Sequence, residues 1–323
     1  MSTDPYRLEP IDPTSFSALV PLMRDAFGHN VDTRYFDWKY LDNPAGPAIG
    51  HVAIDTASGD IAAFYGMIPE RYRWGDHEAV IYQSCDTMTH SDHRRRGLFQ
   101  RLAKATFAKA EALDPAFFAY GFGGPTSTPG FLKMGWDIEI DLRFLFRPRL
   151  LTQVSGFLGE RETLRIATTP DAPLLELMKA NEARREQSKV FDDAFLLWRL
   201  AQPRRAYTYV VDPGEAYAIY YQADGHIFLF DFWEATNGSG TGVLRHVDRA
   251  ASKPGSKGVL TFAQTSGTFA RSLRRHGYLS NPFKRGPATA RIPFITYGPA
   301  GIPGGQTGAA RAWDISPIDH DSY

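Results

Sequence analysis

Residues 86–102 read Asp-Thr-Met-Thr-His-Ser-Asp-His-Arg-Arg-Arg-Gly-Leu-Phe-Gln-Arg-Leu. A strand pattern ends near Thr89 and an alanine- and leucine-rich helical pattern starts near Gly97, so a short basic loop joins strand to helix. The first N–H groups of a helix have no helical acceptors and lie at the positive end of its dipole. Such a turn can hold phosphate or pyrophosphate. Gly97 lets the backbone approach an anion with no Cβ in the way, and Arg94, Arg95 and Arg96 add positive charge. Neither Gly-x-x-x-x-Gly-Lys-Ser/Thr nor Gly-x-Gly-x-x-Gly is present here, so this is not a standard nucleotide loop. Taken alone, a solvated basic turn capping a helix is an equally good reading.

Other reactive side chains carry weaker signals. Cys85 is the single cysteine, which excludes an internal disulfide framework and a thiolate metal site. Within an apolar strand it reads as small packing before it reads as an acyl-accepting nucleophile. His90 is a candidate proton carrier, although a histidine at a strand end more often serves a hydrogen bond. Asp314, Asp319, His320 and Asp321 have metal-ligand chemistry, but such groups in a tail are usually solvated, and no metal is expected. Tyr65, Tyr72, Trp74 and Tyr82 cluster around one turn, where sugar rings could stack, with core filling the plainer explanation.

The elements that would position these groups alternate between helix and strand. Helices are expected over 15–27, 33–41, 97–113 and near 131–134. Strands are expected over 51–54, 61–68, 79–88, 116–122 and 138–146, with Trp74-Gly75-Asp76 as a hairpin turn. The second half repeats this order. Asp32, Trp38, Lys39 and Pro44 have counterparts in Asp192, Trp198, Arg199 and Pro203. Thr126-Ser127 leading to Gly135-Trp136 is matched by Thr265-Ser266 leading to Gly277-Tyr278. This predicts a duplicated α/β (α+β) fold: residues 1–148, a diverged copy over 149–300 with strands at 216–221 and 227–234, and a tail at 301–323. The tail's apolar segment 312–315 is expected to pack back on a sheet. In the second half the loop position holds Asn237-Gly238-Ser239-Gly240-Thr241-Gly242, read as a flexible turn.

Composition narrows the function classes. The chain has 323 residues, 36 basic and 36 acidic, so a broad electrostatic grip on nucleic acid or an anionic membrane is not expected. No apolar run is long enough to span a bilayer and the start lacks a signal-peptide core, which predicts a cytoplasmic protein.

Arg94-Arg95-Arg96-Gly97-Leu98-Phe99 resembles the Arg/Gln-x-x-Gly-x-Gly/Ala signature of GNAT-superfamily acyl-CoA N-acyltransferases, and Phe131-Leu132-Lys133-Met134-Gly135-Trp136 resembles the family's Phe-Tyr-x-Lys-x-Gly-Phe ending. The stretch from Phe64 to His90 is similar to a bacterial subgroup associated with sugar modification. The likeness covers residues 1–148 well and the second half only as a degenerate copy. It implies two GNAT-like halves, each a mixed, mostly antiparallel sheet flanked by helices. It further implies that residues 88–99 (Met88, Thr89, His90, then Arg94 to Phe99) bind coenzyme A, with Thr126 and Ser127 near the thiol. Two departures stand out: Phe99 replaces a Gly or Ala, and Phe131 replaces the tyrosine that protonates the leaving thiolate.

The resemblance therefore implies transfer of an acetyl group from acetyl-CoA to a primary amine, such as an amino sugar or sugar nucleotide. The alternatives are a long-chain acyl-CoA N-acyltransferase and a non-catalytic CoA-binding module. For the base, Asp86 is the carboxylate of the fourth strand nearest the loop; Gln83 stands near the place of a family glutamate and cannot serve. Strict alternation would put Gln83 and Cys85 opposite Asp86, unless the β-bulge common in this family strand is present. Tyr120 is the expected acid. The partner is a small-molecule amine, and the protein a monomer or homodimer.

Overall fold

The computed structural model describes residues 4–156, 163–185, 187–281, 288–298 and 313–321. The first half supplies β1 (Tyr6–Pro10), α1 (Phe16–Phe27), α2 (Thr33–Tyr40), β2 (Ile49–Asp55), β3 (Ile61–Trp74), β4 (His77–Thr89), α3 (Leu98–Leu113), β5 (Ala119–Phe122), α4 (Thr128–Lys133) and β6 (Asp137–Pro148). After α5 (Arg149–Gly156) come β7 (Arg165–Ala167), α6 (Ala172–Glu182), β8 (Gln187–Lys189), α7 (Asp193–Leu200), β9 (Thr208–Asp212) and β10 (Ala216–Ala223). Then follow β11 (His226–Glu234), α8 (Thr241–Ala251), β12 (Gly258–Ala263), α9 (Thr268–Arg275), β13 (Leu279–Ser280) and β14 (Arg291–Tyr297).

The helix that anchors the site follows from its sequence. α3 is built of good helix formers, and Leu98, Leu102, Ala103, Phe107 and Ala110 fall on the face that packs into the core. Gly97 stands just before it in the left-handed region, at φ +72°, a conformation that suits glycine.

All strands join one sheet, whose main path runs β1-β2-β3-β4-β5-β14-β6-β12-β11-β10-β9-β7. The order is palindromic when each strand is paired with its counterpart in the other half. Only the central β4·β5 and β11·β12 pairs are parallel. The duplication expected from the Asp-Trp landmarks is thus visible as a pseudo-twofold arrangement, with its axis between β14 and β6.

One boundary differs from expectation. β6 does end at Pro148, but it pairs with β12 of the second half, while β14 of the second half pairs with β5 of the first. Each half lends its last strand to the other, so a cut at 148/149 would leave both sheets incomplete. The reason is hydrogen bonding: β5 and β12 each have one edge filled by β4 or β11, and the exchanged strand fills the other.

The tail does more than pack on a surface. Trp313, Ile315, Pro317, Ile318, Asp319 and Asp321 are buried between the halves; the expected linker at 299–312 lies outside the described residues. A buried irregular segment must find partners for its backbone. Gln83 Nε2 and Lys189 Nζ donate to Asp319 O, Arg199 donates to Ile318 O and His320 O, and Gln202 donates to Asp321 O. Gln83 therefore holds the tail and takes no part in proton transfer.

Candidate active site

β4 and β5 pair over only Tyr82–Ser84 against Ala119–Gly121 and then diverge. Where they part, β4 carries a bulge: Met88 lies opposite Phe64 but Cys85 opposite Gly66, so β4 spends one extra residue. Asp86 absorbs it at φ +43°, a conformation that aspartate tolerates better than most residues. Gly66 is needed here, because a Cβ would come within 2.6 Å of the Phe64 ring. The bulge cancels strict alternation and brings Ser84, Cys85, Asp86 and Thr87 to one cleft of about 250 Å³. Across it stand Gly121, Phe122, Thr126, Ser127 and Phe131, with His320 and Asp321 of the tail closing one side.

At the base of the cleft lies a buried charge cluster. Lys39 Nζ, fully buried, is 2.7 Å from Asp86 Oδ2 and 2.5 Å from Asp321 Oδ2, and donates to Tyr35 Oη at 3.2 Å. Tyr40 Oη donates to the same Asp86 oxygen at 2.7 Å. Burial disfavours the Lys39 ammonium, yet the two carboxylates outweigh it and hold its pKa well above the usual value. Burial pushes the Cys85 thiol well up, so it stands as a neutral SH donating to Gly66 O at 3.6 Å. His320 stacks on Phe122 with ring centroids 4.2 Å apart, its Nδ1 3.3 Å from Asp321 Oδ1. Burial, reinforced by Lys39, Arg199 and Lys189, lowers its pKa to about 4, so it is neutral near pH 7.

Cys85, Asp86 and Asp321 bring their ligand atoms within 4.8 Å of one another, which is metal-site geometry. Lys39 Nζ already lies between the two carboxylates and supplies the positive charge a metal ion would bring. The two carboxylates face Lys39 at the base of the cleft and Arg204 in its wall, so the charges balance, and Asp86 is left as the carboxylate a cationic amine would meet.

The basic loop is open. Ser91–His93 form a short 3₁₀ turn after β4, Arg95 takes φ +62°, and no side chain caps α3. A Cβ at Gly97 would meet nothing within 4 Å. Arg94, Arg95 and Arg96 are exposed around it; Arg94 also donates to Thr89 O, and Arg96 to Asp92 O. Phe99 resolves its own departure from the motif. Its ring packs edge-on to Phe131 at 4.9 Å, over Gly130, where a Cβ would clash with it at 2.4 Å. Leu98 is buried beneath the helix start.

The structure separates the expected site residues. Asp86, Thr126 and Ser127 line the cleft, whereas Met88 is buried in the core below it. His90 N–H donates to Ala62 O on β3, so by alternation the Thr89 N–H faces the opposite, splayed edge. The His90 ring accepts from Asp92 N and is partly exposed. Tyr120 does not reach the cleft. Its hydroxyl donates to buried Glu70, which also pairs with Lys189 at 2.6 Å, and burial beside that carboxylate drives its pKa well up. Tyr65, Tyr72 and Trp74 are buried, which removes them as a sugar platform. Lys39, His320 and Asp321 were missed as a group; the repeated Trp-Lys and Trp-Arg landmark was the one sequence signal for Lys39.

The crossed last strands, the bulge and the splay define an α/β fold of the acyltransferase type. Residues 7–138 match the family described as Acetyltransferase (GNAT) domain, and this part of the chain has the fold of that family. No curated protein matches the chain. Among solved structures, a conserved protein of Enterococcus faecalis V583 aligns over 90% of this chain and 72% of its own, with TM-score 0.66 and 12% identity. The GCN5-related N-acetyltransferase of Anabaena variabilis ATCC 29413 aligns over 90% and 72%, with TM-score 0.65 and 11% identity. Saccharomyces cerevisiae N-myristoyltransferase, solved with myristoyl-CoA, aligns over 92% and 79%, with TM-score 0.61 and 13% identity. At these identities the likeness is one of fold.

Proposed function

We propose that the protein transfers a short acyl group, acetyl in the first instance, from acyl-CoA to a primary amine. The observation that carries this reading is the splay of β4 from β5 directly above an uncapped, open Gly97 loop. In this reading the diphosphate of CoA rests on the N–H groups at the start of α3, with Arg94 to Arg96 around it. The pantetheine arm runs along the free edge of β4 at Thr89, and the thioester enters the cleft. Backbone N–H groups of the bulged strand would polarise its carbonyl as negative charge develops.

The acceptor arrives as an ammonium ion and meets the Asp86 carboxylate in the cleft wall. Asp86 Oδ2 is taken by Lys39 and Tyr40, and Oδ1 is left to receive the ammonium proton. With Phe131 in the cleft and Tyr120 tied to Glu70, the leaving thiolate takes up the proton that the acceptor nitrogen loses after attack, passed directly or relayed by water or the Thr126 or Ser127 hydroxyl, each of which regains the proton it gives. A cleft of about 250 Å³ favours a short acyl group over the long chain carried by the yeast structure. An amino sugar fits the charge, as would any compact primary amine.

Calorimetric titration with acetyl-CoA tests the first half of this reading, and thiol release over a panel of amino sugars, polyamines and long-chain amines tests the second. Gly97→Val should weaken CoA binding about tenfold or more, since a β-branched residue in the left-handed region costs on the order of 1–3 kcal/mol. Cys85→Ala should leave binding near wild type. Absence of saturable CoA binding refutes the proposal; binding without thiol release from any amine favours a non-catalytic CoA module.

A further inference from the structure

A second cleft, larger than the one above, opens elsewhere in the described structure. It lies in the second half, has about 850 Å³ of room, and occupies the place related to the first cleft by the duplication. In the first half the walls are the end of β4, the turn from β5 into α4, the region after α1, and the tail at His320 and Asp321. In the second they are the end of β11, the turn from β12 into α9, the region at the end of α6, and the tail at Trp313 and Asp314.

The diverged half has closed its own diphosphate position. Glu234 Oε2 accepts from Gly238 N at 2.9 Å and Gly240 N at 3.2 Å, filling the glycine-rich turn with a carboxylate of the chain. Ser272 and His276 also donate to Glu234. The start of α9 is likewise taken, since Asp314 accepts from Thr268 N at 3.0 Å. A CoA diphosphate therefore finds no free backbone there, yet the cleft has not filled in.

Its lining has become cationic. Arg184 and Arg185 stand on one wall, and Arg271 and Arg275 on the other, against Glu234 and Asp314 in the lining; Arg275 pairs with Glu234 at 3.3 Å and Asp319, Asp314 and Asp231 offset Arg185, which leaves Arg184 and Arg271 without a carboxylate partner among the described residues. Arg184 is posed over the Trp233 ring at 5.0 Å and donates to Ala235 O. Arg185 is buried, and its Nε has no hydrogen-bond partner. The Arg271 guanidinium makes no ion pair or hydrogen bond among the described residues. Gln264 and Trp313, which share the lining, also carry buried polar atoms without partners. Positive charge concentrated in a concave, partly dry wall is costly unless an anion offsets it.

We infer that this second cleft binds a small anionic ligand bearing at least two phosphate or carboxylate charges, held by side chains where the first half would use backbone. The inference does not depend on the acyl-transfer reading. Inorganic pyrophosphate and citrate, titrated separately into the full chain by calorimetry, serve as probes of the phosphate and carboxylate forms. Binding of either should weaken at least tenfold in Arg271→Ala/Arg275→Ala and persist in Gly97→Val, which disables only the first-half loop. Should the double variant lose its fold by circular dichroism, Arg271→Gln alone provides the comparison, because that side chain holds nothing else in place. Failure of both probes to bind below about millimolar concentration overturns the proposal. So does binding that the arginine variants leave unchanged, or that only Gly97→Val abolishes.

Discussion

Trp38 and Trp198 stack at the seam of the two halves with ring centroids 5.1 Å apart, and each indole N–H donates to the other's carbonyl at 2.7 Å. This reciprocal pair is what a twofold duplication makes of one residue that meets its own copy. The two cations that follow in sequence, Lys39 and Arg199, reach the same tail: Lys39 takes the Asp321 carboxylate and Arg199 the Ile318 and His320 carbonyls. Trp198→Phe should cost roughly 1–3 kcal/mol by removing the indole donor to Trp38 O, and Trp38→Phe should cost less, because Trp198 O keeps a second donor in Ala201 N–H at 3.2 Å. Chemical denaturation of the single and double variants would show a double variant short of the sum.

Lys39 offsets two buried carboxylates. Lys39→Met should destabilise by about 3–5 kcal/mol, the usual result of stripping one partner from a buried pair. Adding Asp86→Asn and Asp321→Asn to that variant should restore much of the loss, measured by the denaturation midpoint. The restored protein should still bind CoA and fail to turn over amines.

His320 titrates at about 4 when folded against about 6.5 in an unfolded chain. Between those values the unfolded state binds the extra proton, so stability rises with pH from about 4 to 6.5 and falls on acidification across the same window. His320→Gln should flatten part of that slope. Thermal melts at half-unit pH intervals would reveal it; an unchanged slope would place the ring in water.

Glu234 behaves oppositely in kind. Its carboxylate is buried, but Ser272, His276 and the loop N–H groups hold its pKa down to about 2. The stability it adds is present above the unfolded value near 4.3 and is lost as the pH falls toward 2. Glu234→Gln should lack that acid-dependent loss while leaving CoA affinity untouched, since the first-half loop is elsewhere.

Much of the architecture was legible in the chain because it is written in local signals. The Ala-rich α3, the hairpin at Trp74-Gly75-Asp76 and the strands expected over 61–68 and 79–88, which the structure extends to Ile61–Trp74 and His77–Thr89, follow from periodicity and turn chemistry within a few residues. The paired Asp-Trp landmarks carried the duplication, and Arg94 to Leu98 carried the loop. The three-residue β8 and the exchange of β6 and β14 left no such trace, because an edge chooses its partner by what is left unpaired after folding.

The cleft shows the same division. Asp86, Thr126 and Ser127 were legible by type and by their place beside the loop. Tyr120 was misplaced because alternation along a four-residue strand does not say which face meets Glu70. Local sequence dictated a strand, a glycine turn and a helix that offer free N–H groups to an anion. Only the folded chain could bring a tail residue, Asp321, across 282 positions of sequence to Lys39, since a buried charge takes whatever partner burial leaves within reach.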